Sequence, residues 1–339
     1  MTAAPLDAAL TGTSPAFDVV AIGNAIVDVI AHADDAFLER HGMTKGAMQL
    51  VDDTLARAIY ADMGPAVESS GGSAANTAAG IAGFGGRVAF IGRVADDQLG
   101  EVFAHDIRAA GVHYGTAPVA DPAGTARCLV LVTPDAQRTL NTYLGVSADL
   151  SPADIDRSLV AAARVLYCEG YLWDRPSAKE ALLVAMDTAR AAGAKVAFTL
   201  SDAFCVDRHR AEFLELAEHR VDILFANEAE LLSLYRTDSW EVAADRVAGH
   251  CELACLTRSE AGSVIITAEG ERLAVEAITN GPVVDTTGAG DLYAAGFLYG
   301  YTRGLPLAEA GRLASLAAGE VISHVGARPE VDLAALAAR

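Results

Sequence analysis

A glycine-rich segment with aspartates at both ends, DTTGAGD at residues 285–291, opens a predicted helix. Backbone N–H groups at a helix start without bulky side chains can bind an anion such as phosphate. The residues expected to form this anion hole are Gly288, Ala289 and Gly290. Asp291 lies beside the anion, where a carboxylate is best explained as a base that takes a proton from an attacking hydroxyl group. The alternative is a simple helix start, with Thr287 as its N-cap residue.

Two further segments combine small residues with polar groups suited to binding hydroxyl groups. Gly71 and Gly72 precede a helix of small residues, so a ligand can approach the backbone closely, and Asn76 offers both a donor and an acceptor. Asn24 and Asp28 follow the first predicted strand, where ligands of α/β sheets bind. The alternatives are a tightly packed helix start for the first segment and a solvated turn for the second.

Predicted strands and helices alternate along most of the chain, which favours an α/β fold with a mostly parallel sheet covered on both faces. Residues 126–133 and 138–143 instead predict a hairpin, and short strands are expected within residues 24–50. We therefore predict a small β lid built from residues 24–50 and 112–146. Residues 68–73 are interpreted as a flexible turn.

Composition excludes several classes of protein. The chain has 339 residues, is 52% hydrophobic and carries a formal charge of −20, which disfavours nucleic-acid binding. Residues 1–16 lack a signal-peptide pattern and are expected to form a loose leader, and no membrane-spanning run is predicted. Five scattered cysteines indicate reduced thiols and a cytoplasmic location. No P-loop, dinucleotide-binding or zinc-hydrolase motif occurs.

Taken together, the two glycine-rich motifs resemble the N-terminal and C-terminal signatures of the PfkB family of carbohydrate kinases. The resemblance covers residues 17–328 and implies a ribokinase-like three-layer sandwich with a β lid, as one kinase domain over residues 17–330. Asn227 and Glu230 resemble the family's N-x-x-E motif, which is associated with Mg²⁺ and phosphate. ATP and Mg²⁺ are therefore the implied cofactors.

Within that family, the N-terminal segment is similar to adenosine kinases, which implies transfer of the γ-phosphoryl group of ATP to the 5'-hydroxyl of adenosine. Aromatic side chains that could stack on the purine are Tyr171 and Trp173, and core packing is the alternative for both. The resemblance also implies contacts to nucleotide or phosphate by Thr257, Gly262, Arg138 and His324. Asp285 is implied as a ligand of a monovalent cation such as K⁺.

Two other functions are kept open. The first is a kinase of a sugar or of another nucleoside in the same family, and the second is a non-catalytic nucleotide-binding regulatory protein. The expected partners are small: ATP and a nucleoside or sugar acceptor, without nucleic acid or membrane. The sequence leaves open whether the chain is a monomer or a homodimer.

Overall fold

The computed structural model describes residues 15–135 and 137–338, so nearly all of the predicted leader 1–16 lies outside the described residues. Within the described part of the chain, nine strands form one main sheet. Its strands are β1 Phe17–Ile22, β5 Val88–Ile91, β6 His113–Tyr114, β9 Ala163–Glu169, β10 Lys195–Thr199, β11 Ile223–Asn227, β12 Leu253–Thr257, β13 Ser263–Thr267 and β14 Arg272–Val275. The order is β14-β13-β12-β11-β10-β9-β1-β5-β6.

The main sheet is parallel from β6 to β12, and only β13 and β14 run antiparallel to their neighbours. Successive residues of β1 face opposite sides, since Val19 packs into one apolar cluster and Val20 into another. A strand buried on both faces must be apolar at every position, and the four residues Val19–Ile22 are fully buried. The predicted mostly parallel α/β sheet is therefore confirmed.

The described residues form twelve helices, most of which cover the two faces of this sheet. They are α1 Asp35–Arg40, α2 Asp53–Asp62, α3 Ser73–Gly83, α4 Gln98–Ala109, α5 Arg157–Ala161, α6 Pro176–Ala191, α7 Ala203–His219, α8 Glu228–Tyr235, α9 Trp240–Val247, α10 Ala289–Thr302, α11 Leu307–Val321 and α12 Leu333–Ala337. Helices α3, α4, α10 and α11 contribute to the cluster on one face, and α6–α9 to the cluster on the other. Within residues 15–135 and 137–338, no helix is long and apolar enough to cross a membrane.

A second sheet, which we call the lid sheet, has the strand order β3-β8-β7-β2-β4. Its strands are β2 Ile26–His32, β3 Met48–Leu50, β4 Ala66–Gly71, β7 Ala126–Val132 and β8 Arg138–Tyr143. The predicted hairpin is present as β7 and β8, which pair antiparallel.

Three elements differ from the sequence-based expectation. The predicted turn at 68–73 is wrong, because residues up to Gly71 form β4 and pair antiparallel with β2 from Ile26–Gly71 to Ala31–Ala66. The segment AVESSG has no alternation of apolar and polar residues, so only the tertiary pairing defines this strand. Strand β6 lies within the range predicted for the lid but pairs with β5 of the main sheet. Strand β14 was not predicted.

Candidate active site

A cavity of about 1070 Å³ lies between the lid sheet and the carboxyl ends of the main-sheet strands. This volume is at the upper end of the usual range for ligand pockets, roughly 300–1000 Å³, and is sufficient for two small ligands. Most of the residues singled out from sequence line it. They are Asn24, Asp28, Gly72, Asn76, Arg138, Tyr171, Asn227, Glu230, Thr257, Gly262, Thr287, Gly288, Ala289, Gly290 and Asp291.

Asp291 lies in the first turn of α10, and residues of α3 hold its carboxylate. Ser73 Oγ donates to Oδ1 at 2.7 Å and Asn76 Nδ2 donates to Oδ2 at 2.9 Å. Removal from water raises the pKa of Asp291, and these two hydrogen bonds and the charge of Arg328 oppose that rise. A carboxylate with a raised pKa is a stronger base than an ordinary aspartate, so Asp291 is suited to accept a proton.

The start of α10 offers backbone donors to an anion. Among the described residues, none accepts a hydrogen bond from the N–H groups of Gly288, Gly290 and Asp291. Gly288 has φ +78°, and a Cβ there would lie 2.8 Å from the Cβ of Ala327, so only glycine fits this close approach. The free N–H groups and the positive end of the helix dipole together form a site for a phosphoryl group.

Asp28, on β2, points a half-buried carboxylate into the cavity. Gly71 on β4 leaves room for it, because a Cβ at Gly71 would lie 2.4 Å from Asp28 Oδ2. Removal from water raises the pKa of Asp28 to about 6, and the nearby cations Arg328 and Arg138 limit this rise. No residue of the described chain donates a hydrogen bond to this carboxylate, which leaves both oxygens available to hydroxyl groups of a ligand.

Gly72 belongs to residues 71–76, which are predicted to bind the hydroxyl groups of the phosphoryl acceptor and which we call the acceptor motif. It brings this motif into contact with the turn after β1. Its φ is +99°, and a Cβ there would lie 2.2 Å from the backbone oxygen of Asn24. Asn24 is buried at 3% exposure, and its Oδ1 accepts a hydrogen bond from Ser147 Oγ at 2.9 Å. The two segments that are predicted to bind hydroxyl groups, the acceptor motif and the turn after β1, are therefore in direct contact.

Glu169, at the end of β9, is a site residue that sequence reasoning missed. One oxygen accepts hydrogen bonds from the backbone N and Nδ2 of Asn24, each at 2.7 Å, and the other accepts from Ala74 N at 2.9 Å. Burial raises the pKa of Glu169 to about 7. This carboxylate ties the turn after β1 to the start of α3. The sequence signal was a charged residue at the carboxyl end of an apolar strand.

Glu169→Gln should lower the free energy of unfolding by about 1–3 kcal/mol, because an amide N–H₂ would face one of the three donors and leave it without an acceptor. The rate of phosphoryl transfer to the acceptor substrate should fall as well, because Asn24 and the start of α3 would shift when Glu169 no longer holds them. Chemical denaturation and initial-rate kinetics measure the two effects. Glu39→Gln, on the exposed surface of α1, is the control. Unchanged stability and turnover in the Glu169 variant would contradict the role of this carboxylate.

Asn227 and Glu230 form a reciprocal cap at the start of α8. Asn227 N and Nδ2 donate to the Glu230 carboxylate at 3.0 and 2.6 Å, and Glu230 N donates back to Asn227 Oδ1 at 2.9 Å. Burial raises the pKa of Glu230 to about 7, and the negative charges of Asp202 and Asp291 add to this rise.

Such a carboxylate beside the cavity fits a divalent cation held through water. Its remaining lone pairs are hard oxygen donors, and a cation would relieve the repulsion among the three carboxylates. No group of three or more His, Cys, Asp or Glu side chains within residues 15–135 and 137–338 could enclose a metal ion directly.

Asp285 is occupied by protein donors. Thr287 N and Oγ1 donate to Oδ1 at 3.0 and 2.7 Å, while Gly326 N at 2.9 Å and the guanidinium of Arg138 contact Oδ2. A carboxylate has about four acceptor positions, and these four contacts use them. The Asp285 side chain therefore does not fit direct contact with a monovalent cation in this structure. The ion pair between Asp285 and Arg138 instead joins β8 of the lid sheet to the loop before α10.

The two aromatic side chains predicted beside a purine have different environments. Tyr171 lines the cavity, and its hydroxyl donates to Ser201 O at 3.2 Å. Trp173 is 4% exposed, packs edge-on against Phe198 and Phe213, and is not among the described residues that line the cavity. The core-packing alternative therefore holds for Trp173.

Three further predicted residues lie outside the cavity lining in the described part of the chain. His324 contacts the buried Glu320, with Nε2 and Oε1 3.1 Å apart. Gly71 supports Asp28 from behind, and Asp285 acts through its contacts to the glycine-rich loop. Two lining or supporting groups that sequence reasoning did not assign are Ser73 and Arg328. Ser73 lay within the glycine motif, whereas nothing in the sequence marked Arg328.

Comparison with known proteins identifies one family, and the related proteins are named for two kinds of substrate, a nucleoside or a sugar. The sequence pattern of the pfkB family of carbohydrate kinases matches residues 48–333. The adenosine kinase from Sinorhizobium meliloti is 54% identical with a TM-score of 0.89, over 95% of this chain and 99% of that one. The probable sugar kinase protein from Rhizobium etli CFN 42 is 52% identical with a TM-score of 0.89, over 96% and 98%. The 5-dehydro-2-deoxygluconokinase from Shouchella clausii is 30% identical over 318 residues, 91% of this chain and 90% of its own length.

Proposed function

Because the chain belongs to the pfkB family of carbohydrate kinases, we propose that it transfers the γ-phosphoryl group of ATP to the 5'-hydroxyl of adenosine, giving AMP and ADP. The observation that carries this proposal is the carboxylate of Asp291. It is fixed by Ser73 and Asn76 beside the free N–H groups of α10, and it shares the cavity with Asp28. A base, an anion site and an acceptor site are thus adjacent, as phosphoryl transfer requires.

In the proposed reaction, each residue has one task. Asp28 and Asn76 bind ribose hydroxyl groups and orient the 5'-oxygen toward the start of α10. That oxygen attacks the γ-phosphorus as the bond to the bridging oxygen of ADP breaks, and Asp291 takes the hydroxyl proton. The N–H groups of Gly288, Gly290 and Asp291 stabilise the charge on the transferred group.

The remaining groups support this reaction. Mg²⁺, when bound, supplies positive charge to the phosphates, and Glu230 with Asn227 would hold it through water. Thr257 and Gly262 line the part of the cavity proposed for the nucleotide. Arg138, on the lid sheet, is 8% exposed and provides a cation near the phosphate site. The lid sheet covers the cavity and would exclude water, which otherwise competes as an acceptor.

One observation of the cavity favours adenosine over a free sugar, since the solved adenosine kinase at 54% identity and the probable sugar kinase at 52% support the two acceptors about equally. The lid sheet presents apolar side chains to the cavity, including Ile26, Val130 and Leu140, and Tyr171 lines it as well. A purine has a flat apolar face that such a surface can cover, whereas a free sugar presents mostly hydroxyl groups.

A sugar-type acceptor is the second candidate. Its support is the probable sugar kinase from Rhizobium etli, which is 52% identical to this chain, and the curated relatives named 5-dehydro-2-deoxygluconokinase, which are about 30% identical. Under this alternative the tasks of Asp291, the α10 N–H groups and Asp28 are unchanged, and the apolar lid surface would have no base to cover.

An ADP-release assay with ATP and Mg²⁺ tests the acceptor. The panel is adenosine, guanosine, inosine, ribose, fructose and 5-dehydro-2-deoxygluconate. A kcat/KM for adenosine at least about 100-fold above that of every sugar is expected, because losing the base removes its apolar contacts. A higher kcat/KM for any sugar in the panel would contradict the adenosine assignment and support the second candidate.

We also propose a cytoplasmic location, as for other kinases that use intracellular ATP. The five cysteines are buried free thiols, which is the usual state in a reducing compartment.

A further inference from the structure

Three consecutive residues between α11 and α12, Gly326–Arg328, contact both halves of the site. Gly326 N donates to Asp285 at 2.9 Å, and the methyl group of Ala327 packs where a Cβ on Gly288 would lie. The side chain of the next residue, Arg328, instead contacts residues at the acceptor motif, Ser70 and Ala75. We call these residues the bridging segment.

Arg328 binds the junction between β4 and α3. Its Nε and Nη2 donate to Ser70 O at 3.2 and 2.9 Å, Nη2 also donates to Ser70 Oγ at 2.9 Å, and Nη1 donates to Ala75 O at 2.9 Å. Ser70 is 1% exposed, and Asp106 of α4 holds it from the other side, accepting from its N and Oγ at 2.7 and 2.6 Å. The backbone between Ser70 and Ala75 carries Gly72, so this network fixes the acceptor motif.

A guanidinium in this position is costly unless negative charge lies nearby. Arg328 makes no ion pair within the described chain, since its donors go to two carbonyl oxygens and one hydroxyl group. Removal from water lowers the pKa of Arg328 to about 10, and the carboxylates of Asp106, Asp28 and Asp291 limit this fall. Two of these three carboxylates are the proposed acceptor ligand and the proposed base.

We propose that Arg328 is a positioning residue of the acceptor site, which holds the β4–α3 junction in place and directs its positive charge at Asp28 and Asp291. This inference rests on the proposed kinase reaction but not on the identity of the acceptor. An exposed arginine could anchor a loop equally well. Arg328 binds Ser70 and Ala75, and the residues that follow these two, Gly71 and Asn76, contact Asp28 and Asp291. Its charge therefore has an electrostatic task at both carboxylates as well.

The charged and titratable groups around the two carboxylates define what a change at Arg328 can do. Those that act on Asp28 are Arg328, Arg138 and Asp291, with the thiol of Cys128 also close. Those around Asp291 are Arg328, Asp28, Glu169, Glu230, Tyr167 and Tyr171. Apart from Arg138 and Arg328, all of these groups are neutral or negative. Loss of the Arg328 charge would therefore raise the pKa of both carboxylates.

Two substitutions separate the charge from the hydrogen bonds. Arg328→Gln removes the charge, and we expect the acidic limb of the pH profile of kcat/KM to move up by about 0.5–1 pH unit. Arg328→Lys keeps the charge but cannot bridge Ser70 and Ala75 in the same way. For this variant we expect an unchanged acidic limb and an acceptor KM raised about tenfold, with the KM for ATP within threefold of wild type.

Arg210→Gln is a control, because Arg210 on α7 also donates to a backbone oxygen and a hydroxyl group, Ser233 O and Oγ at 2.7 and 3.2 Å, and differs in having an ion pair with Asp207. It should lower the melting temperature without moving the pH profile or the acceptor KM. The experiment measures all three variants with the best acceptor of the wild-type enzyme, so a wrong acceptor would overturn only the adenosine proposal. An Arg328→Gln profile that keeps its acidic limb would overturn the electrostatic task. Equal losses for both substrates in Arg328→Lys would overturn the positioning role, and this variant tests that role by itself if Arg328→Gln does not fold.

Discussion

Asp291→Asn should lower kcat by about 10²–10⁴-fold, because the amide cannot take the proton of the attacking hydroxyl group. The two side chains have nearly the same size, and the donors Ser73 and Asn76 lie on α3, which is packed against α10. The fold and the cavity should therefore persist. Binding of ATP should change by less than about threefold, since the α10 N–H groups that contact the anion belong to the backbone.

The two quantities are measured separately, kcat by ADP release at saturating substrates and ATP affinity by titration calorimetry. Asp35→Asn is a suitable control, because Asp35 also occupies the first turn of a helix but is exposed on α1. It should retain wild-type turnover. Turnover within threefold of wild type in the Asp291 variant would exclude this residue as the base. A comparable loss of ATP binding would instead indicate that the variant disturbs the anion site.

The sequence was sufficient for the inner strands of the main sheet, because burial on both faces demands an apolar residue at nearly every position. It was not sufficient for the two partly exposed edge strands, β6 and β14. From the sequence, residues 263–267 are predicted as a strand and residues 228–235 as a helix, and β13 and α8 have these bounds. The lid sheet was harder, since β4 owes its conformation to β2 rather than to its own residues. The predicted membership of the PfkB family is confirmed by the match over residues 48–333.

The residues of the candidate site likewise fall into those that the sequence could identify and those that it could not. Residues within local motifs, such as Gly72, Asn76 and Asp291, could be found because a glycine before a helix has few structural explanations. Arg328 could not, because its role depends on a partner 258 positions away in sequence. Glu169 carried only the signal of a charged residue at the end of an apolar strand, and its partner Ala74 lies 95 positions away. Trp173 shows the reverse case, in which a residue type suited to base stacking is used by the core between α6 and α7. Local chemistry indicates candidates, but only the fold decides which of them face the cavity.

Asp28→Ala should raise the acceptor KM by about 10–100-fold while leaving the KM for ATP within threefold of wild type. Hydrogen bonds to a charged group contribute about 1.5–3 kcal/mol each, and this carboxylate has no competing donor within the described residues. The effect should also depend on pH. Since the pKa of Asp28 is raised to about 6, the wild-type acceptor KM should rise as the pH falls below that value. The variant should lack this dependence, because it has no carboxylate to protonate.

Initial rates with each substrate varied in turn, between pH 5 and 8, test both statements. Asp28→Asn keeps the contact with Gly71 and removes only the charge, so it should show a smaller rise in acceptor KM, also independent of pH in this range. Glu68→Ala, on the neighbouring strand β4, is the control for the lid sheet, because the one side-chain hydrogen bond that Glu68 makes with the described residues is accepted from Tyr60 at 3.2 Å. Equal losses for ATP and acceptor in Asp28→Ala would place this residue outside the acceptor site. A wild-type acceptor KM that stays constant down to pH 5 would contradict its ionisation there, and binding would then have to depend on Asn24, Asn76 and the apolar lid surface.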